Sequence, residues 1–350
     1  MKILFFIHSL RGGGAERVAS ILLNHFCEKH DTFVAVNNFK LPFYNTDSRV
    51  HIISNQLNSK SKITSRLPLF IKMVHTIRNI KPDIIISFLV TNNNYVLLAN
   101  AFCRKKIIVS ERIALTHEPS IWHRFLRKIL YPTANKIVFV TNEDRIKFGW
   151  QQKSLTIYNP AMFEPYAEYN NRQKTIVAIG PDKRWHQKGF DILISAWNKI
   201  AQQNPDWTLE IYGRISDVPL PDTLKQPQER VNWMGWRDNI SEVLRTKSIF
   251  ILASRFEGCP NSLIEAMSQG CACIVTDCAG GAKEMIDDGI DGIIAQNENI
   301  DDIATKLQML INDDTLRNKL SAGAIEKAKM FDKNVFFAKW DNLIDEVAIE

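Results

Sequence analysis

Two carboxylates with seven residues between them, Glu257 and Glu265, frame the densest chemistry in this chain, in the run Phe256-Glu257-Gly258-Cys259-Pro260-Asn261-Ser262-Leu263-Ile264-Glu265-Ala266-Met267. A carboxylate is a strong acceptor for paired hydroxyls, so such a pair suits a sugar or a ribose. The apolar run 249–253 before them reads as a buried parallel strand. Gly258 and Pro260 punctuate, Asn261 or Ser262 can cap, and 263–267 has helical composition. A strand, a tight turn and a helix start at the C-terminal edge of an α/β sheet make a ligand-binding place. The unpaired N–H groups there favour a phosphate or a hydroxyl. A second reading of Glu265 stays open: a Glu in the first turn of a helix favours the dipole and nothing more.

Glycines recur at two other strand ends. Gly12-Gly13-Gly14 follows the apolar run 2–7 and precedes an apolar-periodic helix reaching about residue 29. This is the strand, loop and helix that opens a Rossmann-like domain, in which glycine lets the backbone approach a ligand. A nicotinamide fingerprint would need Gly at 17, where Arg17 stands, and an acid after strand two, where Asn37-Asn38 stands. Nicotinamide binding is disfavoured, and a tight turn needing small residues explains Gly13 and Gly14 as well. Gly280-Gly281, before an expected helix, again reads as a phosphate or sugar cradle. Beyond strand 107–109 lies Ser110-Glu111-Arg112, with His117 nearby. Glu111 and Arg112 either form an internal ion pair or line a pocket.

The whole phrase around Glu257 and Glu265 resembles the Glu-x7-Glu signature of retaining glycosyltransferases of family four, with Pro260-Asn261 and Glu265-Ala266-Met267 extending the likeness. The resemblance covers nearly the whole chain. It implies an α/β GT-B fold of two Rossmann-like domains facing a central cleft. Glu265 would bind the donor ribose and Glu257 the transferred sugar, with Gly258, Asn261, Ser262, Gly280 and Gly281 around the donor. Relatives clamp the donor diphosphate with a Gly-Arg after the first strand of the second domain and a Lys-Gly at the next helix. Lys188-Gly189 fits the second. The first is missing, because Pro181 follows Gly180 and the loop 181–187 looks two residues longer. Arg184 or Lys183 would supply that charge from a shifted position, and Arg is the better bidentate phosphate ligand. Arg237 lies where relatives contact the donor base. Gly13, Gly14, Glu111, Arg112 and His117 would face the acceptor side.

In such enzymes the leaving phosphate helps deprotonate the acceptor, so no protein nucleophile is expected. No Asp-x-Asp occurs in the chain, so metal chelation of the GT-A type is disfavoured and no metal or other cofactor is expected. The resemblance implies a UDP-hexose or UDP-N-acetylhexosamine donor and a growing lipid-linked glycan of a bacterial envelope as acceptor. Two alternatives remain: a nucleotide-sugar 2-epimerase on the same fold, and a non-catalytic nucleotide-sugar-binding partner subunit, which the irregular 181–187 loop would favour.

The elements that must position these residues alternate strand and helix along the chain. At 350 residues there is room for two cores. The polar stretch after Asn159-Pro160 divides a first domain, 1–160, from a second, 161–331, and the resemblance implies that the helix in 332–350 crosses back to the first. The net charge of +6 hides an asymmetry: 1–160 carries 23 Lys and Arg against 9 Asp and Glu, whereas 161–350 carries 21 against 29. A basic first half suits an anionic partner, whether nucleic acid, a lipid surface or a diphosphate. The acidic second half and the lack of a binding motif disfavour nucleic acid. Two basic segments, 66–78 and 121–131, read either as helices packed on the sheet or as interfacial helices at anionic lipid. The apolar start ends at His8 with no cleavage site, so a first strand is expected rather than a signal peptide. With no run long enough to span a bilayer, a cytoplasmic chain, peripheral at the inner membrane, is expected. The six cysteines show no Cys-x-x-Cys and are expected in the core.

Overall fold

The computed structural model describes every residue except 40, 57–65, 113, 115–119, 169–171, 215–220, 222–223 and 225–228. His117 and the Lys60-Ser61-Lys62 stretch therefore lie outside the described residues. The described chain forms two units, Met1–Asn159 with Asn334–Glu350, and Pro160–Lys333.

In the first unit, β1 (Lys2–Ile7), β2 (Asp31–Val36), β3 (His51–Ser54), β4 (Ile84–Phe88), β5 (Lys106–Ser110), β6 (Lys136–Phe139) and β7 (Ser154–Thr156) form a parallel sheet in the order β3-β2-β1-β4-β5-β6-β7. Its central strands are buried on both faces, which is why they read as unbroken apolar runs. Helix α1 (Gly14–Phe26) packs on one face. The other face carries α2 (Arg66–Ile80), α3 (Val90–Asn100) and the inner side of α4 (Ile121–Leu130). The short helix α5 (Asn142–Phe148) is capped by the Thr141 hydroxyl. Helix α3 starts at Val90, two residues beyond the end of β4. Its Asn92-Asn93-Asn94 run looks like a loop, but all three side chains are buried and hydrogen-bonded; the Asn93 amide donates to the Ser110 carbonyl (3.2 Å) and the Tyr131 hydroxyl (2.9 Å).

In the second unit, β8 (Gln173–Ile179), β9 (Thr208–Tyr212), β10 (Val231–Gly235), β11 (Lys247–Leu252), β13 (Ala272–Thr276) and β15 (Ile293–Ala295) pair in the parallel order β10-β9-β8-β11-β13-β15. Two two-residue strands, β12 (Phe256–Glu257) and β14 (Ala279–Gly280), form a separate parallel pair. The helices are α6 (Trp185–Lys188), α7 (Phe190–Ile200), α8 (Ile240–Thr246), α9 (Asn261–Ser268), α10 (Ile300–Asn312) and α11 (Asp314–Ala328). Side chains of Asn299 and Asp313 cap α10 and α11. Trp197 and Phe190 of α7 fill the core against β8, β9 and β11. No α-helix follows Gly280-Gly281; a single 3₁₀ turn, Lys283–Met285, stands there, because the two-residue pairing with β12 takes up the backbone first.

The last helix, α12 (Lys333–Ile349), belongs to the first unit. Phe336, Trp340, Leu343, Ile344 and Val347 enter its core beside α1. The His25 ring stacks on Phe337 (4.1 Å) and contacts the Asp341 carboxylate (2.8 Å). Lys136 pairs with Glu346, and the Lys106 ammonium donates to the Ala348 carbonyl (2.6 Å).

Candidate active site

The C-terminal edge of the second sheet is built on glycines. The Gly180 N–H donates to the Tyr212 carbonyl (2.8 Å) and the Gly213 N–H to the Gly235 carbonyl (3.0 Å), so three strand ends meet there. A Cβ on Gly180 would sit 2.8 Å from Lys188 Cγ, which is how the lysine stem lies directly against the strand end. Gly189 holds φ +64, and a Cβ there would strike the Ala253 carbonyl oxygen. Only glycine fits both demands, and the turn it makes between α6 and α7 aims Lys188 across the end of β11.

Lys188 Nζ reaches Glu257 Oε1 at 2.7 Å. The Ser254 hydroxyl donates to the same oxygen at 2.8 Å, and the Thr276 hydroxyl holds the Ser254 carbonyl at 2.7 Å. Glu257 pairs in register with Gly280, and the Gly281 N–H donates to the Gly258 carbonyl (2.8 Å). Two donors thus converge on Oε1, and Oε2 accepts from no group among the described residues. Lys188 and Glu257 expose only 12% and 10% of their side chains. A pair so dry is costly to build and weak as a source of stability. What it supplies is a fixed cation beside an oriented carboxylate, with one lone-pair edge left for a hydroxyl.

Arg255 locks the loop above this pair. Its guanidinium holds Asp191 through two bonds (2.9 and 2.7 Å), Glu298 (2.8 Å) and the His186 carbonyl (2.6 Å), while its N–H donates to the Gln187 carbonyl (2.9 Å). Burial pushes the Asp191 carboxyl up, but the Arg255 bonds and charge outweigh it and leave its pKa below the ordinary value. The 181–187 loop folds as a 3₁₀ turn, Asp182–Arg184, running into α6.

Glu265 is the fifth residue of α9 and is 5% exposed, so it does not sit in the first turn. The dipole reading fails on position. Pro260 takes the N-cap place and no side chain caps the helix, so Asn261 and Ser262 occupy its first turn instead of capping it. Leu263, Ile264, Ala266 and Met267 are fully buried around the glutamate. A carboxylate in such a setting costs free energy unless its partners compensate.

Of the residues marked by sequence, the structure gathers Lys188, Glu257, Gly180, Gly258, Gly280 and Gly281. Lys183 and Arg184 are exposed in the 3₁₀ turn. Arg237 is exposed beyond β10, next to Trp236, over whose ring the Arg214 guanidinium sits at 5.3 Å. In the first unit, Gly13 precedes α1 in extended conformation and Gly14 is its first residue. Glu111 does not pair with Arg112. It is 1% exposed, accepts from the Tyr131 hydroxyl (2.7 Å) and lies 3.6 Å from the buried Arg127. These are the surroundings of a buried, hydrogen-bonded carboxylate packed between α4 and the sheet. Burial and the Glu111 charge together push the Tyr131 hydroxyl well above its ordinary pKa. Arg112 instead donates to the Asn159 side chain (2.9 Å) over the Phe88 ring. Sequence reading missed Ser254, Thr276 and the Arg255–Asp191 clamp. The hydroxyl directly after the apolar run 249–253 was the available signal for Ser254.

Residues 173–313 match the family model described as "Glycosyl transferases group 1". The chain is 27% identical over 357 aligned positions, 99% of each chain, to the Campylobacter jejuni "GalNAc-alpha-(1->4)-GalNAc-alpha-(1->3)-diNAcBac-PP-undecaprenol alpha-1,4-N-acetyl-D-galactosaminyltransferase". It is 36% identical over 242 positions, 63% of each chain, to that organism's "N,N'-diacetylbacillosaminyl-diphospho-undecaprenol alpha-1,3-N-acetylgalactosaminyltransferase". Among solved structures, Anabaena Alr3699/HepE in complex with UDP superposes with a TM-score of 0.80 at 19% identity, covering 99% of this chain and all (100%) of that one. The apo lipopolysaccharide outer core galactosyltransferase WaaB gives 0.76 at 22% identity, covering 99% of each chain. The architecture is that of the GT-B glycosyltransferases. The chain is thus similar to group 1 glycosyltransferases over residues 173–313, and to relatives named as glycosyltransferases over nearly its whole length.

Proposed function

We propose that the chain moves a hexose or N-acetylhexosamine from a UDP-sugar to a growing lipid-linked glycan of a bacterial envelope, with the anomeric configuration retained. The observation that carries this is the Lys188–Glu257–Ser254 cluster at the glycine-lined sheet edge. The relatives named above act on undecaprenyl-diphosphate-linked saccharides, which supports the acceptor class. Lys188 offers fixed positive charge where a diphosphate leaves, worth most in a dry site. Glu257 Oε2 accepts a hydroxyl of the transferred sugar, and Glu265 the ribose hydroxyls. With no Asp-x-Asp in the chain, transfer is expected to need no metal. The 182–188 segment folds as a 3₁₀ turn running into α6, which supports a catalytic loop over a non-catalytic partner subunit. The work is done at the cytoplasmic face of the inner membrane by a peripherally bound chain; among the described residues no helix is long and apolar enough to cross a bilayer.

Incubation with UDP-sugars and a short polyprenyl-diphosphate saccharide tests the reading. UDP release that depends on acceptor, with an α-configured product by NMR, is expected. An inverted product, or donor consumption indifferent to acceptor, would contradict it.

A further inference from the structure

The loops that follow β1 and β2 are zipped together at the C-terminal edge of the first sheet. The N–H groups of Asn37 and Asn38 both donate to the His8 carbonyl (3.1 and 2.9 Å), and the Phe43 N–H donates to the Leu10 carbonyl (2.9 Å). The far end is tied to α1, where the Asn24 side chain accepts from the Asp47 N–H (2.8 Å) and donates to the Asn45 carbonyl (3.0 Å). The side chains between these ties are presented in fixed places. Phe39 and Phe43 each stand 44% exposed there. The Phe43 ring meets Tyr44 edge to face (5.0 Å), and the Arg17 guanidinium braces Tyr44 from α1 (6.0 Å). The Phe39 N–H donates to the Gln56 side chain (3.0 Å). Next in sequence to Phe39, the Asn38 carboxamide has no hydrogen-bond partner among the described residues.

Aromatic rings left open on a pinned loop mark an interaction surface. Its surroundings select the occupant. β1 is the strand at which the order of the sheet reverses, and ligands of open α/β sheets bind beyond the strand ends at that point. The Glu16 carboxylate folds back over the start of α1, where a Cβ on Gly13 would strike it, so the positive end of that helix already has its anion. Residues 37–46 hold one charged side chain in ten. A phosphate finds little to bind here, whereas a pyranose fits. Its C–H faces suit the negative face of an aromatic ring, and its hydroxyl or acetamido groups suit a carboxamide that both donates and accepts. We propose that Phe39, Phe43 and Asn38 form a saccharide subsite of the first unit: the two rings pack on the C–H faces of a pyranose of the acceptor glycan, and the Asn38 carboxamide bonds its polar substituents. This deepens, and rests on, the reading of a glycan acceptor, and it is independent of the donor.

The test is saturation-transfer NMR of the full chain, without donor, against the methyl glycosides of N-acetylgalactosamine, N-acetylglucosamine, galactose and glucose. At least one glycoside is expected to bind, with its ring C–H protons receiving the strongest transfer from aromatic protons of the protein. Phe39→Ala/Phe43→Ala should weaken that binding about tenfold or more. Asn38→Ala, which removes no ring, should weaken it while the transfer to ring C–H protons persists. Ile146→Ser, an exposed apolar change on α5, should bind as the parent does. Unfolding midpoints of the variants without ligand should match the parent's, which separates a lost subsite from a lost fold. A chain that binds glycosides in this way but no UDP-sugar would leave the subsite standing and sink the transferase reading alone. A parent that binds none of the glycosides, or a double variant that binds them equally well, overturns the proposal. Self-association of the parent in place of glycoside binding, abolished in the double variant, also overturns it and assigns the rings to a second copy.

Discussion

Ser254 gives Glu257 its direction. Its buried hydroxyl and the Lys188 ammonium share Oε1, so the carboxylate cannot turn without losing one of them. Ser254→Ala removes one hydrogen bond to a charged acceptor, worth about 1.5–3 kcal/mol, and should lower kcat by roughly tenfold or more with little change in donor KM. A variant with unchanged kcat would show that Ser254 is only structural. Glu257→Gln, which keeps the shape and removes the charge, is expected to cost about 10²–10³-fold in kcat, read by steady-state UDP release. Glu257 and Glu265 were legible because they lie in one phrase of sequence with a recognisable spacing. Lys188 was legible from its Lys-Gly context, but its bond to Glu257 spans 69 positions and exists only once β8 and β11 pair. Glu111 and Arg112, adjacent in sequence, misled for the same reason: the partner that matters, Arg127, comes from the next helix.

Among the elements, the segment from Asp182 to Gly189 depends most on remote support. It is held on the sheet by Arg255, which itself follows β11. Since Asp191 titrates below its ordinary value, its contribution to stability is full above about pH 4 and is lost as pH falls through the folded value. Asp191→Asn should therefore cost about 1–2 kcal/mol at neutral pH and progressively less below pH 4. Urea denaturation of parent and variant across that range measures the difference, and a gap that persists or widens in acid would contradict the clamp. Strong elements such as β1, β4 and β13 were readable as apolar runs. The β12–β14 pair was not, because two-residue strands carry no periodicity, and it is this pair that sets Glu257 against Gly280. The start of α3 was hidden because its asparagines are polar in sequence and buried in place.

Taken as a whole chain, the last seventeen residues are structural property of the first unit. Trp340 is fully buried there, and Trp340→Ala should destabilise the protein by about 3–5 kcal/mol, seen as an early transition in chemical denaturation. An unshifted midpoint would deny the helix that role. Composition had already separated a basic first half from an acidic second, although no local pattern in 334–347 says which core those apolar residues enter.

The central claim is that the second unit holds a UDP-sugar through Glu265 and the glycine-lined edge. Calorimetric titration of the chain and of Glu265→Ala with UDP-, GDP- and ADP-sugars tests it most directly. Binding of a UDP-sugar that is weakened at least about 100-fold in the variant, the loss of about 3 kcal/mol expected of a charged acceptor, is the predicted result. Binding of equal strength in parent and variant, or no binding of any nucleotide sugar, would contradict the account.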